Sequence, residues 1–191
     1  MGLALYEDMV MILNLGAGQR RMNGALNVDV TLYPGVDRVV DLNILSWPWK
    51  DNSIDKIYMI HSLEHFKDTK SILNECHRIL KKGGILHLEV PHPSNIAAQG
   101  CLGHYRTFSY NTFNDYLGRK FYLMGDRYFR TVRQEMYWFS PGKVDGSFAI
   151  PIIILRPLIN WLIKLSPALF ENLWCYWVGG ARNVLWEGVK E

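Results

Sequence analysis

The sequence is poor in cysteine, in net charge and in long uninterrupted apolar runs. Its three cysteines, Cys76, Cys101 and Cys175, fall at no metal-ligand spacing and leave an odd count. That pattern argues against a disulfide framework and for a reducing, cytoplasmic setting. The formal charge of +3 is too small to indicate a nucleic-acid partner by itself. The apolar opening, residues 1–15, is interrupted by Glu7 and Asp8; without a basic front or a small-residue cleavage site it does not read as a secretory leader. Met1 and Gly2 are not followed by the serine or threonine of a myristoylation signal. The apolar stretch 148–178 is divided by Arg156, Lys164 and Glu171, so no uncharged run reaches the roughly 18 residues that a membrane span needs. Internal repeats and low-complexity linkers are also missing, so a single domain covering residues 1–191 is expected.

What is present is rhythm. Short apolar runs alternate with turn residues through the first half, as strand, crossover and strand do in a parallel sheet. Strands are expected at 10–15, 26–30, 38–42, 54–62 and 84–90, the first of them buried on both faces. Between the last two, Ile72, Leu73, Cys76, Ile79 and Leu80 share one helical face. This predicts a helix over 68–82, capped by Asp68 or Thr69 and stopped by Gly83 and Gly84. A shorter helix is expected at 109–117 behind a capping Ser109, and strands at 127–139 and 181–190. The fold class that follows is α/β: a doubly wound, mostly parallel sheet with a C-terminal antiparallel pair.

The segment 148–178 is expected to supply core helices, broken into short pieces at Pro151, Pro157 and Pro167. The other readings of it are a lid over a greasy substrate, self-association as a homodimer, or peripheral membrane contact through Trp161, Trp174 and Trp177 beside Arg156 and Lys164. Arg119, Lys120, Arg127, Arg130 and Arg133 alternate with Phe121, Tyr122, Tyr128 and Phe129. This resembles a basic aromatic face for RNA. Asp126 and Glu135 within it, and the small net charge, make a solvated strand surface the preferred reading, without nucleic acid.

Chemistry is expected at the carboxyl edge of the sheet, where ligands bind. Gly16 and Gly18 end the first strand, and glycines there make room for something close to the backbone. Asp29 ends the second strand only 11 residues after Gly18. A dinucleotide site uses a third glycine, a helix start for the pyrophosphate and an acid about 20 residues on. Here Arg20 stands near the third glycine's place and the crossover is too short for a full helix. An NAD-dependent oxidoreductase is therefore the weaker alternative.

In order and spacing, LNLGAG, NVDV, DL, WPWKDNSID, HSLEHF and ILKKGGILHLEVP, over residues 10–92, resemble the class I S-adenosylmethionine-dependent methyltransferases, in particular their small type-11-like group. The resemblance implies S-adenosylmethionine as cofactor and residues 10–92 as the cofactor-binding half, leaving 93–191 to the acceptor. It implies that Asn14, Gly16, Ala17 and Gly18 form the loop under the cofactor and that Asp29 accepts its ribose hydroxyls. Val30 would pack beside the adenine, Asp41 and the Leu42 N–H would meet the ring's polar edge, and His61 would stand near the amino-acid end. Such a cofactor carries no pyrophosphate, so the missing third glycine costs little.

Methyl transfer needs alignment first and a base only for acceptors that hold their proton. His61, His65 and His92 are the candidate catalytic residues; His92, His104 and Tyr105 are candidates for substrate contact. His61, Glu64 and His65 could together hold a metal, but their spacing is not HExxH and no metal is expected. The motifs all lie on the donor side, so the acceptor, expected to be a small molecule, a glycan or a lipid-linked substrate, is not in them. A protein that binds the cofactor without catalysis, or a scaffold, is the second reading.

Overall fold

The computed structural model describes residues 10–117, 129–138, 149–176 and 180–191. Seven strands form one sheet: β1 Ile12–Leu15, β2 Leu26–Asp29, β3 Arg38–Val39, β4 Ile54–Ile60, β5 Leu80–Pro91, β6 Phe129–Tyr137 and β7 Asn183–Lys190. Their order is β3-β2-β1-β4-β5-β7-β6. All neighbours from β3 to β5 are parallel, and β7 runs antiparallel to both β5 and β6. The expected α/β sheet with its C-terminal antiparallel pair is thus present. The strand order reverses between β1 and β4, which opens a crevice outside their carboxyl ends.

Helix α1, Thr69–Ile79, joins β4 to β5 and starts where expected, with the Asp68 side chain accepting from the Ser71 N–H. It ends earlier than the glycines suggest. Leu80 is already extended and pairs with Ile54, so the tertiary ladder captures the chain before Gly83, which takes a positive φ of 80° within β5. The helix buries Ile72, Leu73, Cys76 and Ile79 against the sheet. Each fully buried aliphatic side chain of this size contributes about 1.5–3 kcal/mol.

Other expectations change in detail. Only Leu13, Asn14 and Leu15 of the first strand are buried, while Val10 and Met11 are exposed. The third strand is two residues long because the chain leaves the sheet's edge after Val39. Helix α2 is Ile96–Gln99 and α3 is Thr112–Tyr116. The N-cap of α3 is Asn111 rather than Ser109, whose hydroxyl meets that of Thr112 instead.

The segments 16–25, 30–37 and 40–53 contain no helix. Where a crossover helix would have covered the sheet, Trp47 and Trp49 are buried in the same core cluster as Leu15 and Val28. Their loop is fastened from α1. Trp47 N–H donates to Glu75 Oε2 at 2.9 Å, and Arg78 donates to the carbonyls of Trp47 and Trp49 at 3.2 and 2.9 Å. Arg78 and Glu75 hold each other by two bonds of 2.8 and 2.7 Å.

Helix α4, Ala149–Leu165, continues through Pro157, and α5, Pro167–Asn172, begins with a proline in its first turn. Only the third expected proline break is therefore a break. Nor is α4 a core helix. Ile163 is buried beside Met136, Phe170, Cys175 and Ala181, whereas Ile150, Ile154, Leu158, Trp161 and Leu165 are exposed. A narrow stripe against β6 suffices to seat it. No described helix is long and apolar enough to cross a membrane. On β6, Arg130 and Arg133 lie near Glu191 and Glu135, and Phe129 is fully buried. Arg119, Lys120, Phe121, Tyr122, Arg127, Tyr128 and Trp177 lie outside the described residues.

Candidate functional site

The turn after β1 is shaped by its glycines. Gly16 and Gly18 have φ of 70° and 53°, in the left-handed region that L side chains avoid. Both Gly16 and Ala17 donate N–H bonds to Val28 O, which folds the turn back onto β2. The two glycines then differ. A Cβ on Gly16 would lie 2.2 Å from Ser62 Oγ, whereas a Cβ on Gly18 would meet nothing within 4 Å. Gly16 is small so that two loops can touch; Gly18 leaves space.

That space belongs to a cleft of about 440 Å³ at the carboxyl ends of β1, β2, β3 and β4, within the size range of small-ligand sites. Gly16, Gly18, Asp29, Val30, Asp41, Leu42, His61 and His65 line it. Thr31, Tyr33, Asn43, Ser62 and Phe66 also line it and were not legible beforehand, since they sit in loops with no periodic signal. Asn14 and Ala17 fall on the other side of the turn. Asn14 is buried, with its amide donating to Arg20 O and to Asn27 Oδ1, so it ties β1 to β2 beneath the loop.

The two acids are oriented by backbone. Asp29 accepts from Gly18 N–H at 2.8 Å with one oxygen and from Thr31 N–H at 3.0 Å with the other. Each oxygen retains a further lone pair, and Asp29 lines the cleft, so it can accept from a ribose diol. Asp41 accepts from the backbone and side-chain amides of Asn43 at 2.9 and 3.0 Å, bonds that hold its carboxyl below the usual range. Leu42 is buried, its carbonyl accepting from Trp47 Nε1.

His61 ends β4 in a strained backbone with φ of 52°. Its N–H donates to Glu89 O, and its Nε2 accepts from the Asn183 amide at 3.1 Å. The remaining Nδ1–H faces Glu64 Oε1 at 3.5 Å. With both ring nitrogens directed at protein, His61 is a wall of the cleft. His65 lies at the rim, its Nδ1–H donating to Gly103 O at 2.9 Å. His92 is elsewhere. It is 2% exposed, accepting from Ser94 N–H at Nδ1 and donating from Nε2 to Glu171 Oε1 at 3.0 Å, so it clasps the end of β5 to α5. Glu171 is held below its ordinary value although burial works against this: His92 and the Tyr110 N–H both donate to it. His104 and Tyr105 sit on a loop clipped to the turn at 63–65, where Tyr105 N–H donates to Glu64 O at 2.8 Å.

Residues 13–88 match the family model described as Methyltransferase domain. Over that stretch, less than half of the chain, the sequence is similar to class I methyltransferase domains. That similarity indicates binding of S-adenosylmethionine. Among solved structures, a SAM-dependent methyltransferase from Archaeoglobus fulgidus is 15% identical with a TM-score of 0.59, covering 97% of this chain and 88% of that one. A SAM-dependent methyltransferase from Thermotoga maritima is 18% identical with a TM-score of 0.56, covering 95% and 82%. These likenesses establish the fold. In sequence, a protein of Methanocaldococcus jannaschii named only as uncharacterized is 35% identical over 139 residues, 71% of this chain and 57% of that protein. The chain thus spans little more than half the length of that relative.

The residues of the cleft fit S-adenosylmethionine. Gly18 leaves an open cradle, Asp29 offers two oriented acceptors above it, and Asp41 with Asn43 gives a polar edge farther along the same cleft. The helix start that a pyrophosphate would require is not formed by residues 16–25.

Proposed function

We propose that this protein transfers a methyl group from S-adenosylmethionine to an acceptor seated over the carboxyl edge of the sheet. The observation that carries the reading is the cleft itself, where Gly18, Asp29 and Asp41 from three successive strand ends line one continuous wall at the point of strand reversal. When bound, the cofactor supplies an electrophilic methyl on sulfur. The chain's part is to hold and align. Asp29 accepts both ribose hydroxyls, a charge-assisted bidentate grip. Gly18 lets the nucleoside lie on the backbone, Val30 covers the adenine from the exposed lip, and Asp41 receives its amino group. His61, held by the Asn183 amide and by its N–H bond to Glu89 O, gives the amino-acid end a rigid wall. Alignment of acceptor and methyl at near-attack distance supplies most of the acceleration such a reaction needs.

The acceptor side is formed by the loops after β4 and β5. His65 lines the cleft, while Tyr105, exposed with Lys67 Nζ 5.3 Å from its ring centre, is not among the lining residues. The acceptor proposed there is a small molecule, a glycan or a lipid-linked substrate. Among the described basic residues of β6, Arg130 and Arg133 lie near acids, which gives no support to RNA.

The test is calorimetric titration with S-adenosylmethionine, S-adenosylhomocysteine and NAD, followed by incubation with methyl-labelled cofactor and fractionated cell extract. Binding of both adenosyl compounds, rejection of NAD and label in a non-nucleic-acid, non-protein fraction are expected. Binding without any transfer would leave a cofactor-binding module in place of an enzyme, and NAD binding would overturn the assignment.

A further inference from the structure

Beside the donor cleft, the fold assembles Glu64, His65 and His104, which no spacing in the sequence joins. One nitrogen from each ring and a Glu64 carboxylate oxygen all lie within 4.8 Å of one another. The juxtaposition is built. The 3-10 turn Leu63–His65 follows β4 and is pinned by buried Leu63. The loop carrying His104 is fastened to it by the Tyr105 N–H bond to Glu64 O, and Arg106 donates to Lys67 O and Thr69 Oγ1 behind it.

Three features of this cluster point to a cation. Glu64 is completely buried, yet neither carboxylate oxygen has a hydrogen-bond partner among the described residues; His61 Nδ1, at 3.5 Å, is an electrostatic neighbour only. A buried carboxylate left without hydrogen bonds is costly unless something positive meets it. Next, each histidine donates Nδ1–H to a backbone carbonyl, His65 to Gly103 O and His104 to Ala98 O, both at 2.9 Å. A carbonyl can only accept, so each ring keeps its lone pair on Nε2, which is how outer-shell bonds prepare metal-binding histidines. Finally, the two rings touch, with centres 4.7 Å apart, and one nitrogen of each lies within 4.8 Å of the other and of the carboxylate.

We propose that Glu64, His65 and His104 bind one divalent transition-metal ion, of the zinc type, at the acceptor end of the cleft. Two imidazoles and one carboxylate are a ligand set that leaves a coordination position open in catalytic zinc sites. Ligands on an ion with bonds near 2.1 Å stand about 3.4 Å apart in a tetrahedron, so the three side chains close in by roughly an ångström when loaded. Because His65 also lines the donor cleft, the open position is available to an oxygen of the acceptor, which the ion orients and whose proton it makes easier to lose. Existence of the ion site is independent of the methyl-transfer reading; only its use rests on it.

The experiment uses the whole chain, stripped with chelator, and titrates Co²⁺ and Zn²⁺ alone. One equivalent of Co²⁺ is expected to bind with visible absorption bands of nitrogen and oxygen coordination, and Zn²⁺ is expected to raise the melting temperature. His104→Ala and His65→Ala should each weaken the ion by about 100-fold or more, since even outer-shell losses cost 10- to 100-fold. Glu64→Gln keeps the shape of the buried side chain; its metal-free melting temperature should not fall, while the stabilisation by Zn²⁺ disappears. Wild-type protein that binds no ion, or variants that bind as tightly as wild type, would overturn the site. So would a Glu64→Gln variant that melts lower without metal and keeps its metal affinity, which would make the carboxylate purely structural. S-adenosylhomocysteine binding, measured on the same preparations, separates the two readings: retained cofactor binding with no ion binding removes the metal site and leaves the donor site standing.

Discussion

Replacing Asp29 by alanine probes the donor site most directly, because the structure divides that carboxylate's work in two. One part is internal: its oxygens accept from the Gly18 and Thr31 N–H groups and set the turn. Asp29 is half-buried, so water replaces these bonds in the variant, and the metal-free, ligand-free protein should lose about 1 kcal/mol of stability. The other part is external. A carboxylate that accepts from a ribose diol makes hydrogen bonds of the charged kind, so affinity should fall by about 1.5–3 kcal/mol. That corresponds to a Kd roughly 12- to 160-fold weaker. Asp29→Asn should fall between, since one amide oxygen can still accept while its NH₂ faces donors. Isothermal titration with S-adenosylhomocysteine reads the affinity, and thermal unfolding without ligand reads the fold. An unchanged Kd in Asp29→Ala, with the melting temperature lowered as expected, would refute the ribose assignment, because the loop would have been disturbed and the ligand would not have noticed.

The two glycines of the turn should separate in the same assays. Gly18→Ala places a Cβ in open cleft space at a positive φ, so about 1 kcal/mol of stability should be lost together with most cofactor affinity. Gly16→Ala drives a Cβ into Ser62 and should melt much lower, with part of the loss recovered in the Gly16→Ala, Ser62→Gly double variant. Trp47→Ala should cost about 3–5 kcal/mol by denaturant unfolding, because this buried ring fills the place of a crossover helix. The Glu75 carboxyl is held below its ordinary value by Arg78, with the Trp47 N–H also lowering it against the effect of burial. Its folded pKa therefore lies below the unfolded one, so its contribution is present above about pH 4.5 and is lost as pH falls through the lowered value. Glu75→Gln should lower stability by about 1.5–3 kcal/mol at pH 7 and flatten the acid limb of the stability curve; identical acid limbs would show that the pair does not control it.

Periodicity and turn chemistry are local properties, and they were enough to place all seven strands within a few residues, to place α1 and its Asp68 cap, and, together with the family resemblance, to mark Gly16, Gly18, Asp29 and Asp41 as one wall. An apolar run buried on both faces reads as a central strand wherever it stands, and a glycine at the end of such a strand reads as close approach. Tertiary structure decided what local patterns cannot carry. It ended α1 at Ile79 by pairing Leu80 with Ile54, moved Asn14 beneath the turn, drew His92 into a clasp with Glu171, and left most of α4 exposed. It also carried His104 across 39 residues to His65, since proximity between two loops depends on how β4 and β5 end side by side in the sheet. Spacing along the chain holds no record of that distance.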